Sequence, residues 1–301
     1  MLIEFETPRW YETTRNCIVG SHDCGNASAE IATPSPRKGT LAAGNTGART
    51  PTRVEVDLGT AGIPVDVTSL DSAIAQIMNT EQPTWTTVVT PNLHLLRQVR
   101  ESPDLARLYS GATLSIPDGW PVAWLASRLC GHTVQRVPGA SLFQALIEQP
   151  GEGRPLVLAG GTPGPKLDDL YDRCRRLGWS VSSEPAPREE LVDPRTRSEF
   201  VSRVARAGSG GVIVLGVGSP QKEELSEEIA ALPGHGAILC VGMSINFSAG
   251  VVNRAPRLIQ SMGLEWLYRA ASEPRRLLGR YIKDAAALPT LAKLNPRYHG
   301  R

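Results

Sequence analysis

The sequence contains no D-x-D pair, no C-x-x-C pair and no uninterrupted apolar run approaching about 18 residues. Each absence removes a class of answer. Without D-x-D there is no paired-carboxylate clamp for a divalent ion, and His22, His94, His132, His235 and His299 are too scattered to supply metal ligands. No metal site is expected. The five cysteines are odd in number and widely spaced, which excludes a disulfide scaffold and a zinc finger and points to a reducing, cytoplasmic setting. The missing apolar run argues against a membrane span. Glu4 and Glu6 stand where a signal peptide would need apolar residues, so export is not expected either. Aromatic residues make up only 5% of the chain.

What is present is aliphatic and rich in turns. A hydrophobic content of 41% over 301 residues can bury a substantial core, and 29 glycines with 24 prolines fit short connections between small strands and helices. The net charge of +2 conceals an asymmetry, because residues 254–301 hold ten Lys/Arg against three acids and leave a deficit of five on the remainder. A basic tail on a mildly acidic body is expected to meet phosphate, in a substrate or on a membrane surface. Residues 1–50 are Thr/Ser/Gly/Pro-rich without periodicity and read as a disordered extension. The expected organisation is this extension, an α/β domain over 53–250, and a basic helical appendage over 251–301.

From Arg53 the pattern alternates. VEVDLGTAGIPVDV reads as two strands about a glycine turn, and Ser69 or Asp71 can cap the helix LDSAIAQIM. TWTTVVT, TLSIP, RPLVLAGG, WSVSSE, GVIVLGVG and GAILCVGMSINF then read as strands. Helical segments separate most of them, including PNLHLLRQVRESPDLARLYSGA with a break near Pro103. The fold class expected is α/β, Rossmann-like, with a mainly parallel sheet covered by helices on both faces. After Gly250 the alternation stops; Leu277, Leu278, Tyr281, Ile282, Ala285 and Leu288 recur at helical spacing, and Pro289 is expected to end or kink that helix.

Ligands of open parallel sheets bind beyond the carboxyl ends of the strands. Four junctions there carry polar or glycine-rich residues: Thr90-Pro-Asn92, Pro117-Asp118-Gly119, Gly160 to Gly164, and Gly216 to Gln221. Asp118 can act as a general base in a cleft, although Asp-Gly is also an ordinary turn in which Asp caps the next helix. Thr90 and Asn92 can bond a polar ligand or cap likewise. The loop containing Gly160 and Gly161 can offer backbone N–H groups to a diphosphate, but it lacks the P-loop spacing. Gly216-Val-Gly218 opens a dinucleotide fingerprint that Gln221 breaks, which argues against a dehydrogenase.

Four blocks then carry a resemblance: TPN at 90–92; PDGWPV at 117–122 with RVPGASL at 136–142; GVGSPQKE at 216–223; and AGVVNRAPRLIQSMGLEWLYRAASEPRRLLGRY at 249–281. Over most of residues 53–284 the chain resembles the WecG/TagA/CpsF glycosyltransferases, family 26, of GT-E type. The resemblance implies an inverting, metal-independent hexosyltransferase that needs no cofactor and acts in bacterial cell-surface polysaccharide biosynthesis. Its donor would be a UDP-sugar of N-acetylmannosamine type or a related hexose, and its acceptor a polyprenyl-diphosphate-linked sugar. The enzyme would sit peripherally on the inner face of the membrane, with its appendage on anionic lipid. A homo-oligomer is compatible with this reading and nucleic acid is not expected as a partner.

By the same resemblance Asp118 takes the general-base position, with Thr90 and Gln221 in the catalytic set. Asn92, Gly119, Arg136, Gly139, Gly160, Gly161, Gly218, Pro220, Glu223, Arg254, Arg257, Glu265, Arg269, Arg275, Arg276 and Arg280 become candidate substrate-binding residues. One departure stands out: the family usually reads P-K-Q-E where this chain has Pro220-Gln221-Lys222-Glu223. Two other readings compete, a nucleotide-sugar-binding or regulatory protein without turnover, and a nucleic-acid module using the basic tail. The first has no need of Asp118. The second is disfavoured because Trp266, Tyr268 and Tyr281 lie among apolar residues at helical spacing.

Overall fold

The computed structural model describes residues 52–79, 83–256 and 274–298, and residues 259, 265, 267 and 268 between the last two stretches. The expected disordered extension therefore lies outside the described residues, as do Arg257 and Arg269.

β1 (Arg53–Asp57) and β2 (Gly62–Asp66) form an antiparallel hairpin. It is tied to the main sheet by Asp66, which accepts both Arg53 Nε at 2.7 Å and the Ser115 amide at 2.6 Å. The main sheet contains β3 (Trp85–Val89), β4 (Leu114–Ser115), β5 (Pro155–Ala159), β6 (Ser180–Glu184), β7 (Gly211–Leu215) and β8 (Gly236–Cys240). Its order is β4-β3-β8-β7-β5-β6, and every pairing is parallel. Apart from the polar edge strand β6 (SVSSE), the strands are short and mostly apolar because both faces are covered, and alternate residues feed two separate cores. Val157, Ile213 and Ile238 enter one; Leu156, Val212 and Leu239 enter the other.

The first core is closed by α2 (Leu93–Glu101), α3 (Pro103–Ser110), α4 (Trp120–Cys130), α8 (Pro194–Gly208) and α9 (Gln221–Ala230). The second is closed by α1 (Leu70–Ile77), α5 (Gly139–Ile147), α6 (Pro165–Arg176) and α10 (Ser244–Ser248). A short α7 (Arg188–Val192) precedes α8. Of the two caps weighed for α1, Ser69 is the one used, through the Ser72 amide, and the break expected near Pro103 separates α2 from α3, with Ser102 as the N-cap of α3.

Three elements differ from the sequence reading. GAILCVGMSINF does not continue as a strand, because Gly242 takes φ 55° and turns the chain into α10. α5 carries no side-chain cap of its own and so no local start signal. The last helix, α11 (Pro274–Leu294), runs through Pro289 rather than ending there. Pro289 is exposed, so the carbonyl it leaves without an amide partner can be hydrated.

α11 packs against α2 and α4 through polar clamps. Buried Asp284 accepts from Arg97 Nε at 2.9 Å and stands 3.2 Å from His94 Nδ1. Further along, buried Asn295 exchanges two hydrogen bonds with the Asp57 backbone, at 2.9 and 2.8 Å. Arg128 donates to the carbonyls of Asn295 and Ala292, placing a cation on the negative end of the helix.

Candidate functional site

Three segments meet beyond the carboxyl ends of β3 and β4. The Ile116 amide donates to Val89 at 2.9 Å, the Asp118 amide to Pro91 at 2.9 Å, and the Val137 amide to Pro117 at 3.0 Å. The TPN, PDG and RVPG stretches are thereby laced together by backbone. Gly119, at φ 98°, occupies the N-cap of α4 without any side-chain bond, so Asp118 does not cap the helix that follows it. Its carboxylate instead accepts the Gly139 amide, the first of α5, on the positive end of that helix.

The surroundings of Asp118 pull its titration in both directions. Burial pushes the carboxyl up to about 6, and the Glu265 carboxylate adds to the rise. Arg136, Arg254 and the Gly139 amide oppose it. The resulting group is deprotonated at neutral pH yet basic enough to take a proton, which is the balance a general base requires.

The flanking groups are themselves ordered. Arg254 donates through Nε to Glu265 at 3.1 Å and through Nη2 to Ser141 Oγ at 3.0 Å. Ser141 belongs to α5, the helix that holds Asp118, so one chain of contacts joins Asp118 to the start of the basic tail. Thr90 is buried, with its hydroxyl 3.5 Å from the Cys240 carbonyl. A Cβ on Gly139 would come within 3.0 Å of Thr90 Oγ1, so only glycine lets α5 approach this closely. Asn92 caps α2 by accepting the Leu95 amide at 3.1 Å. The capping role weighed for Asn92 is thus the one its Oδ1 performs.

Across the central strand β8 the edge is built of glycine. Gly160 and Gly161 take φ 103° and 93° as the chain leaves β5 for α6, whose N-terminus at Gly164 has no side-chain cap. Asn246 of α10 accepts the Thr162 amide at 2.8 Å and fixes this loop. Gly160 also lies against the Gly216 backbone, where a Cβ would meet Gly216 C at 3.3 Å. The neighbouring loop leaves Gly218 and Pro220 exposed and passes through a cis Ser219–Pro220 bond into α9. The amides of Gly160 and Gly216 are donated within the fold, to Glu184 and Ala159, as that of Thr162 is to Asn246. What the two loops can offer a phosphate is therefore the amides of Gly161, Gly164 and Gly218 with the starts of α6 and α9, and the expected donor role of Gly160 is not one its amide can fill.

Gln221 opens α9 half-buried, while the next two residues turn inward. Lys222 and Glu223 are 6% and 2% exposed and form an ion pair, and Tyr109 Oη donates to Glu223 at 2.9 Å. Glu223 therefore makes its contacts within the fold, tying α9 to α3. In the tail, Arg275 is exposed and Arg280 stacks over the Tyr281 ring at 5.2 Å. Arg276 lies on α11. Of the tail residues singled out, Arg254 and Glu265 are the two that the described contacts bring to Asp118.

Ser141, Asn246 and Tyr109 were not identified from sequence. Ser141 sits inside the RVPGASL block and could have been taken from it. Asn246 and Tyr109 act through partners 84 and 114 residues away, which no local pattern reveals.

The geometry is that of a half-buried carboxylate between arginines on one side of a parallel sheet's ligand edge, with phosphate-compatible glycine loops on the other. Residues 58–298 match the family described as glycosyl transferase WecG/TagA/CpsF, and the chain belongs to that family of glycosyltransferases.

Proposed function

We propose that the protein is an inverting hexosyltransferase that moves a sugar from a UDP-sugar, of N-acetylmannosamine type or a related hexose, onto a polyprenyl-diphosphate-linked acceptor. The family supports glycosyl transfer in cell-surface polysaccharide synthesis. The observation that carries the finer reading is Asp118, partly buried at the ligand edge, held by the Gly139 amide and titrating at about 6. Its carboxylate takes the proton of the acceptor hydroxyl as that oxygen attacks the anomeric carbon from the face opposite the diphosphate. The bond from the anomeric carbon to the phosphate oxygen breaks, and UDP leaves with the electron pair. A nucleoside diphosphate needs charge stabilisation rather than a proton donor. In this reading the N–H groups of the two glycine loops hold the diphosphate, Arg136 and Arg254 add positive charge from beside Asp118, and no metal is required.

The organisation we infer is a catalytic body over 53–250 and an appendage over 251–301 that meets anionic membrane. Leu278 and Ile282, one turn apart on α11, are 51% and 62% exposed, and Arg275 and Lys283 are exposed beside them. An apolar stripe flanked by cations suits the interface of an anionic bilayer. No helix among the described residues is long and apolar enough to cross a membrane.

The test is a transfer assay with a panel of UDP-sugars and short-chain polyprenyl-diphosphate glycans, with and without saturating chelator. Transfer with inversion at an unchanged rate in chelator is expected. A strict requirement for magnesium or manganese contradicts the charge assignment, and UDP-sugar binding without turnover favours a nucleotide-sugar-binding protein.

A further inference from the structure

Tryptophan is the costliest side chain to leave in water without a purpose, and the described tryptophans divide sharply. Trp85 and Trp179 are 7% and 3% exposed, and each donates its indole N–H to a backbone carbonyl, of Leu232 and Gln149 respectively. Trp124 is covered by the Arg128 guanidinium, 4.9 Å from its ring centre. Trp120 is 44% exposed and has no hydrogen bond, ion pair or ring contact among the described residues.

Its location is set by the fold. α4 follows β4 and begins at Trp120, two residues after Asp118, so the helix starts at the carboxyl edge of the sheet where the base stands. Side chains of a helix lean toward its N-terminus, and that of the first residue therefore leans out over this edge. Gly119 fixes the approach with its φ of 98°, and a Cβ there would come within 4.0 Å of Asn92 Cβ. The backbone from which Trp120 projects thus runs directly from Asp118 and past the TPN loop, at the end of β4 on the charged side of β8.

Resting on the transfer reading above, we propose that Trp120 is the stacking platform of the acceptor subsite, its indole receiving the apolar C–H face of the pyranose whose hydroxyl Asp118 deprotonates. A sugar ring offers one face of C–H groups and a rim of hydroxyls. A rigid exposed aromatic beside a carboxylate matches both at once, with two torsions to immobilise. The glycine-loop side carries the diphosphate chemistry, so the platform acts on the acceptor and leaves the donor untouched.

The probe is a water-soluble, short-chain polyprenyl-diphosphate-linked N-acetylhexosamine, used in steady-state transfer and in calorimetric binding without donor. Trp120→Ala is expected to raise the acceptor KM and the calorimetric Kd by about tenfold or more, the loss typical of an aromatic anchor. Trp120→Phe, which keeps a ring, should stay within about threefold. Donor KM, thermal stability and flotation with anionic vesicles should not change in either variant. An unchanged acceptor Kd in Trp120→Ala overturns the proposal, as does a loss confined to vesicle flotation, which would make the ring a lipid contact. If the wild-type protein transfers no sugar, the transfer reading fails separately, and the calorimetric comparison still decides whether Trp120 holds the glycan.

Discussion

The two sides of the ligand edge, divided by β8, solve different electrostatic problems. On the β3–β4 side, side chains of both signs converge, with Asp118 and Glu265 against Arg136 and Arg254. On the β5–β7 side, Gly160, Gly161, Gly164, Gly216 and Gly218 line the loops; the Gly160 and Gly216 amides are donated within the fold, which leaves those of Gly161, Gly164 and Gly218. The difference matches what the proposed reaction asks of each half. A proton acceptor needs a tuned pKa, which requires burial and specific charged neighbours. A diphosphate needs several N–H donors at close range, which requires backbone without Cβ atoms in the way.

The largest expected effect comes from removing the charge on the first side. Asp118→Asn should lower kcat by about 10²-fold or more while keeping UDP binding and the fold, since the amide can still accept the Gly139 N–H. Calorimetry with UDP alongside the transfer assay checks this. Loss of UDP binding in the same variant would erase the distinction between the two sides.

The second effect concerns what holds the charged side in place. Asp284 is buried between His94 and Arg97 on α2, the helix that begins at the TPN loop. Burial raises its pKa, but the bonds from His94 and Arg97 win and hold it below the ordinary carboxylate value. A depressed carboxylate contributes stability that is complete above its unfolded pKa of 3.8 and is lost as pH falls through the lower folded value. Asp284→Ala should therefore cost about 2–3 kcal/mol at pH 7, less than a fully buried pair because Arg97 keeps Glu101 as a partner. The gap between the variant and the wild type should begin to narrow only as pH falls below 3.8, toward the depressed folded value. Urea unfolding at several pH values measures both.

On the glycine side the expected effect is smaller and of a different kind. Gly161 has φ 93°, and a Cβ there would lie 2.9 Å from Ile245 Cγ2. Gly161→Ala should cost about 1–2 kcal/mol of stability through strain and raise the donor KM, with the acceptor KM unchanged. An effect on acceptor KM alone would place the acceptor on the wrong side of β8.

How far the sequence reveals this arrangement depends on how local each signal is. The alternation of apolar runs and helical segments discloses the parallel sheet, because strands buried on both faces need little beyond composition and turns. Thr90, Asp118 and the glycine loops are legible as strand-end residues. α5 is not, because the group at its N-terminus is the carboxylate of Asp118, 21 residues upstream in the chain rather than a capping residue beside it. The inward turn of Glu223 is likewise hidden, since it depends on Tyr109 across the α3–α9 interface. Pro289 misleads for a related reason: helix breaking is read from the residue alone, whereas the docked face of α11, through Leu277, Asp284 and Leu291, decides that the helix continues.

The central claim is that a half-buried Asp118, tuned by its neighbours, is the base, and the pH dependence of kcat/KM tests it most directly. Activity should fall on the acid side of an apparent pKa of about 6, because the base works only when deprotonated. In Glu265→Gln the like charge beside Asp118 is lost and Arg254 is freed from its partner. Both changes favour the carboxylate, so the acid limb should move to lower pH by roughly half a unit to one unit. An acid limb near pH 6 in the wild type that shifts downward in Glu265→Gln supports the account. A limb that stays in place in that variant, or activity that is flat through pH 6, contradicts it.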